Sequence, residues 1–143
     1  MAGIKNVTMG KNVSLVEPAN LYGCILGDNV KIGPFVEIQS DVKIGSNTTI
    51  SSHSFIPSGV EIGEHTFIAH GVMFTNDVFD SDTIENWNLK RTKVGNRVRI
   101  GSNATILPVT IGDDVIIGAG SVVTKDIPSG CLVYGNPAKI STK

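Results

Sequence analysis

The 143 residues match one ordinary domain and are too few for two of typical size, so a single domain over residues 1–143 is expected. Twelve basic against thirteen acidic side chains, a net charge of -1, supply neither the basic stripe of a nucleic-acid binder nor a polybasic membrane tract. Sixteen Gly, six Pro and only 6% aromatic residues exclude a helical bundle and call for a small, aliphatic core.

The opening segment, MAGIKNVTMG, lacks the charged and apolar regions of a secretory signal. No apolar run approaches the roughly 20 residues that cross a bilayer, so a cytoplasmic location is expected. Cys24 and Cys131 lie far apart and form no CxxC pair. Both are read as reduced, buried thiols.

Taken in chain order, the elements follow one period. Met9, Leu15 and Leu21 step by six, one shortened repeat follows, and from Leu26 an aliphatic residue returns at Ile32, Ile38, Ile44, Ile50, Ile56, Ile62 and Ile68, then Phe74. The register resumes at Val94, Ile100 and Ile106, slips by one residue between Leu107 and Val109, and continues at Ile111, Ile117 and Val123. Four places after each aliphatic residue stands a small or β-branched one, such as Val30, Thr48, Ser54, Val72, Ala104 and Ser121, suited to a second, crowded inward position. Immediately before these come Asn29, Asp41, Asn47, His53, Gly59, His65, Gly71, Asn103, Asp114 and Gly120, mostly types that tolerate a positive φ. Each repeat is therefore predicted to be a short strand plus a corner. Three repeats close a coil of about 18 residues, and stacked coils hydrogen-bond at about 4.8 Å per coil.

The period fails between Phe74 and Val94. The segment TNDVFDSDTIENWNLKRTK carries four acidic and three basic side chains and the chain's one Trp. A loop over residues 75–93 is expected, too mixed in character for a linker and suited to reach a neighbouring subunit and build a site there.

The pattern [LIV]-G-x-x-[small]-x resembles the hexapeptide-repeat acyltransferases, and the resemblance covers about Met9 to Val123. It implies an all-β fold, a left-handed parallel β-helix with one extended loop; the handedness comes from the family. The string HSFIPSGVEIGEHTFIAHGVMFTND, the loop, and VGNRVRIGSNATILPVTIGDDVIIGAGSVVTKDIPSGCLVYGNPAK are similar to bacterial N-acetyltransferases of nucleotide-linked 3-amino sugars in surface-polysaccharide pathways. GAGSVVTKDIPSG and GNPAK are shared by acetyl-CoA-dependent members generally, while FTND is narrower. Where several relatives continue FTN with Pro-Arg, this chain has Val78, Phe79 and Asp80. The resemblance implies acetyl-CoA as co-substrate, a dTDP- or UDP-linked 3-amino sugar as acceptor, and a homotrimer. Alternatives are a sugar O-acetyltransferase of the maltose or galactoside type, a serine acetyltransferase, a carbonic-anhydrase-like metal enzyme and a non-catalytic scaffold.

Acyl transfer to an amine needs a proton acceptor, and imidazole, with an ordinary pKa of about 6.5, serves near neutrality. One coil beyond His53 lies Gly71, beside His70, so these two histidines are expected to share a corner, taken as the one where the loop begins. His53 is the favoured base, matching a polar functional place in the relatives, with His70 positioning substrate; His65, on another corner, is read as structural. Asn76, Asp77, Phe79 and Trp87 are the candidate acceptor contacts, the aromatics by stacking. Ser102 and Ala119 are expected to stack one coil apart, where small side chains permit close approach of the cofactor's pantetheine arm. By resemblance Thr124, Lys125 and Lys139 join them, the lysines near the phosphates. His65 and His70 form the H-x4-H of zinc carbonic anhydrases with this fold, but two coils earlier stands Asn29-Val30-Lys31-Ile32-Gly33-Pro34, without a third ligand, and no metal is expected.

Overall fold

A buried side chain at every sixth position requires the chain to turn a corner after each strand, and in the computed structural model, which describes residues 3–141, it does so throughout. The ends of the domain expected over 1–143 lie outside the described residues. Three parallel faces result, forming a β-helix of about seven turns.

Face one contains strands Ile4–Lys5, Asn20–Tyr22, Glu37–Ile38, Phe55–Ile56, Met73–Phe74, Thr105–Ile106 and Val122–Val123. Face two contains Thr8–Met9, Ile25–Leu26, Lys43–Ile44, Val60–Ile62, Thr92–Val94 and Thr110–Ile111. Face three contains Ser14–Leu15, Lys31–Ile32, Thr49–Ile50, Phe67–Ile68, Arg99–Ile100, Ile116–Ile117 and Leu132–Gly135, closed by the antiparallel Ala138–Ile140. Pairing follows the repeat: Leu26 opposes Ile44, and Ile44 opposes Ile62. After the slip at Leu107 the coils are one residue shorter, so Val94 opposes Ile111 and Ile100 opposes Ile117.

The core is a stack of like on like. Ile32, Ile50, Ile68, Ile100 and Ile117 line face three from within, all buried, and Val30, Val72, Val98 and Ala104 fill corner positions beside them. Where the corner residue is polar, its hydroxyl is used between coils. Thr48 Oγ1 donates to Gly63 O (2.7 Å) and accepts from Thr66 N (3.1 Å), while Ser54 Oγ donates to Ala69 O (2.9 Å) and accepts from Val72 N (3.2 Å). Such pairing removes the cost of burying polar groups.

All ten residues expected in the left-handed conformation have positive φ, and so do Phe35 (61°) and Arg97 (55°), which the sequence pattern did not single out. Arg97 is held there by a bidentate ion pair with Asp114, at 2.7 and 3.1 Å. The first repeat is less covered than expected, with Met9 38% exposed. At the other end the solenoid runs past Val123: Ile127 bridges to Ile111, and Val133 pairs with Ile117. The excursion after Phe74 returns at Thr92, already paired with Val60, so the loop is two residues shorter at its C-terminal end than the lost period implied. Cys24 is buried as expected, but Cys131 is only half-buried, near the thinly covered C-terminal turn. No helix among the described residues is long and apolar enough to cross a membrane.

Candidate active site

The corner between faces three and one carries one column of residues, level upon level: Pro34, Ser52, His70, Ser102 and Ala119. Backbone hydrogen bonds fix each step, from His53 N to Pro34 O (3.2 Å), Gly71 N to Ser52 O (2.9 Å), Asn103 N to His70 O (2.9 Å) and Gly120 N to Ser102 O (2.8 Å). The left-handed residue that follows each member, Phe35, His53, Gly71, Asn103 and Gly120, turns the chain onto face one. His53 and His70 thus share a corner, and Ser102 and Ala119 stack one coil apart on it. The stacking is tight: a Cβ at Gly101 would lie 2.5 Å from Ala119 N, so glycine there is a packing requirement.

The two imidazoles have different partners. His70 is exposed, and its Nδ1 lies 2.8 Å from Ser52 Oγ one coil below, a contact that leaves Nε2 without a hydrogen bond to the fold. His53 is also exposed, but its ring stacks on Phe35, centroids 4.9 Å apart at 30°. His65 stands on the corner between faces two and three, where its N–H donates to Ser46 O (3.0 Å). Among the described residues no three His, Cys, Asp or Glu side chains gather as metal ligands.

The loop does not begin at the histidine corner. The strand Met73–Phe74 intervenes, and the loop leaves from the next corner, between faces one and two. The physical reason is the repeat itself: one strand must be completed between successive corners. Inside one chain, therefore, the loop base and His70 stand at opposite ends of a face-one strand.

At its base the loop is stapled. Lys90 N donates to Asn76 O (2.8 Å), Asn76 Nδ2 donates to Ser58 O (3.0 Å), and Asp77 Oδ1 accepts from Phe79 N (2.8 Å). Ion pairs Lys90–Asp80 (3.0 Å) and Arg91–Asp41 (2.9 Å) brace its return. Asn76, Asp77 and Phe79 line a largely apolar groove of about 480 Å³ with Phe55, Val78 and Leu107. Asp77, Phe79 and Trp87 line a second hollow of about 210 Å³ beneath the short helical turn Ile84–Asn86. The four acceptor candidates therefore cluster, and Phe79, 87% exposed, is the most projecting of them.

Thr124, Lys125 and Lys139 meet in one cavity of about 300 Å³, whose far wall is Pro137, Ala138 and Ile140 of the closing hairpin. Face one separates this cavity from Ser102 and Ala119, so the five cofactor candidates form two groups at the same end of the solenoid.

Burial pushes the Cys24 thiol up to about 11, which marks a core thiol and not a nucleophile. The hydrogen bond from Arg97 holds the exposed Asp114 carboxyl below the usual carboxylate range, on a corner remote from His70. Sequence reasoning missed two residues of the histidine corner. Ser52 was legible from its place one coil below His70, and Phe35 from being a bulky residue in a left-handed slot.

Two family models match the chain: the bacterial transferase hexapeptide (six repeats) over residues 23–58 and the hexapeptide repeat of succinyl-transferase over residues 91–125. The acetyltransferase-class protein YvoF of Bacillus subtilis is 45% identical over 58 residues, 40% of this chain and 34% of YvoF. The chain thus matches about a third of the length of that relative. The crystal structure of AntD, an N-acyltransferase from Bacillus cereus in complex with dTDP and coenzyme A, superposes with a TM-score of 0.74 at 23% identity, covering 96% of this chain and 80% of AntD. GDP-perosamine N-acetyl transferase from Caulobacter crescentus, a histidine-to-alanine mutant in complex with CoA and GDP-perosamine, gives a TM-score of 0.62 at 25% identity, covering 95% of this chain and 58% of that one.

Proposed function

We propose that the chain, which matches transferase hexapeptide-repeat models over residues 23–58 and 91–125, is an acetyl-CoA-dependent N-acetyltransferase acting on a nucleotide-linked amino sugar, of the dTDP- or UDP-3-amino type, in cytoplasmic surface-polysaccharide synthesis. The observation that carries this reading is the column at the histidine corner. His70 adjoins Ser102 and Ala119, a stretch of small side chains and close-packed backbone along which a pantetheine arm can lie. CoA bound to N-acyl- and N-acetyltransferases of the same fold supports this cofactor, and the nucleotide or nucleotide sugar present in the same complexes supports the acceptor class.

The chemistry assigned to the corner is one proton transfer and one acyl transfer, with the base now assigned to His70 in place of the His53 favoured from sequence, because the His53 ring is stacked on Phe35 while Ser52 orients His70. In the tautomer whose Nδ1–H donates to Ser52 Oγ, His70 Nε2 holds a free lone pair. It takes the proton of the attacking amine as the N–C bond forms at the thioester carbonyl. The tetrahedral oxyanion is met by backbone N–H groups at the corner. Collapse breaks the C–S bond, and the imidazolium returns the proton to the departing thiolate. His53, one level below, contacts the acceptor. Lys125, Lys139 and Thr124 hold the phosphates of CoA.

Because the loop leaves from the corner beyond the one that carries its own His70, it is assigned to the site of a second copy. The proposed assembly is a homotrimer, with Asn76, Asp77, Phe79 and Trp87 of one subunit closing over the sugar beside His70 of the next. The test is acetyl transfer to a panel of dTDP- and UDP-linked amino sugars, maltose, a galactoside and serine, with mass measured by light scattering. Turnover of the amines by a trimer is expected. Turnover confined to the hydroxyl acceptors, or an active monomer, overturns the reading.

A further inference from the structure

Phe35 occupies a left-handed backbone conformation that the chain's corners mostly give to residue types suited to it; the other phenylalanine in this conformation, Phe79, lies in the loop. At the corner slots the positive φ falls on Gly, Asn, Asp or His, with Phe35 and Arg97 as departures. Left-handed backbone disfavours a bulky side chain by about 1–2 kcal/mol. Arg97 has its bidentate carboxylate as compensation. Phe35 has no comparable side-chain ion pair: the residue is 56% exposed, and its ring stacks on that of His53, which is also exposed. Strain held in place without a packing benefit is a mark of a working surface.

The place of this ring gives it a task. His53 covers one face of Phe35. Phe35 also lines a groove of about 330 Å³ with Pro18 and Ala19 of the preceding coil and with Asn20 and Glu37, which are register partners on face one. Gln39 Nε2 donates to Glu37 Oε2 (3.3 Å) and steadies the carboxylate. The groove is therefore lined by an aromatic ring, a proline, an amide and a carboxylate. That is the requirement of a planar heterocycle: a π-face to stack on and acceptors for its ring N–H.

Along the column, the proposed cofactor residues Ser102 and Ala119 lie on one side of His70, and Ser52, then Phe35, on the other. An acceptor must approach His70 from the side the thioester leaves open. Phe35 stands two coils from His70 in that direction, roughly 10 Å at the spacing of stacked strands. This is the scale of the ribose and diphosphate joining a sugar to its base.

We infer that Phe35, backed by His53 and edged by Glu37, is the stacking platform for the nucleobase of the acceptor. The inference rests on the reading of the acceptor as nucleotide-linked, and the experiment separates the two. Binding of dTDP, UDP and GDP is titrated calorimetrically against the wild type and against Phe35→Asn, Phe35→Leu and Phe35→Tyr, with acetyl-CoA binding and Tm as controls. At least one nucleotide binds the wild type. Its Kd rises about tenfold or more in Phe35→Asn and Phe35→Leu and stays within threefold in Phe35→Tyr, which keeps a ring. Acetyl-CoA binding is unchanged, and Tm of Phe35→Asn equals or exceeds the wild type because the strain is relieved. Equal nucleotide affinity in all four proteins, or no nucleotide binding by the wild type, overturns the inference. Nucleotide binding that depends on Phe35, without acetyl transfer to any amino-sugar nucleotide, instead sinks the assignment of the acceptor and leaves this one standing.

Discussion

Ser52 Oγ and His70 Nδ1 lie 2.8 Å apart on successive coils, so a hydroxyl from one level of the solenoid orients the imidazole of the next. The parallel stacking makes this contact possible, since residues one coil apart stand directly over one another at about 4.8 Å. If His70 is the base, Ser52 is a positioning residue that acts through it. Its replacement by Ala is expected to lower kcat about tenfold, the worth of one neutral hydrogen bond, with KM for acetyl-CoA unchanged. Ser52→Thr, which keeps the hydroxyl, restores kcat. A purely structural role for Ser52 would instead show as a lowered Tm in the Ala variant with kcat intact.

Lys125 and Lys139 come from different elements, the last corner and the closing hairpin, yet line one cavity. If they hold the phosphates of CoA, a Lys125→Ala, Lys139→Ala double variant raises KM for acetyl-CoA about tenfold or more, because charge-assisted hydrogen bonds are the strong ones. Folding is left intact, as neither side chain belongs to the core. An unchanged KM removes the cavity from the cofactor path.

Ile68 is fully buried between Ile50 and Ile100 of the adjoining coils. Its truncation to Ala leaves a void that the flanking coils cannot fill without breaking register. A loss of about 2–5 kcal/mol in denaturant unfolding is expected. An equivalent truncation of the exposed Met9 is expected to be nearly neutral.

The two cysteines are expected to separate in a labelling experiment. Burial disfavours the thiolate, so the Cys24 thiol, pushed up to about 11, stays protonated at pH 8 and shielded from reagent. Cys131 is only half-buried and takes up one equivalent of a thiol-specific reagent in the native protein. The second equivalent follows on denaturation. Two fast equivalents in the native state would contradict the burial of Cys24.

Much of this architecture was legible because one period serves both packing and backbone. Ile32, Ile50, Ile68 and Ile100 announced their face by recurrence, and Asn29, Asp41 and Asn47 announced the corners by tolerating positive φ. Phe35 and Arg97 were missed because they break the type rule while obeying the spacing. The C-terminal hairpin was missed because Leu132–Gly135 and Ala138–Ile140 pair antiparallel and carry no six-residue signal. The loop was assigned to the histidine corner although the count places His70 and Asn76 in successive repeats, which means successive corners. Partners such as Ser52 for His70 depend on which residues coincide after the coils close, and coil lengths vary by a residue along the chain.

The central claim is that His70 Nε2 accepts the proton of a sugar amine at this corner, and single-turnover acetylation of a 3-amino sugar nucleotide tests it most directly. With acetyl-CoA saturating and trimer mass verified, His70→Asn is expected to slow the chemical step by about 10²- to 10⁴-fold while binding both substrates as the wild type does. A His70→Asn enzyme that acetylates the amine at the wild-type rate would contradict the account.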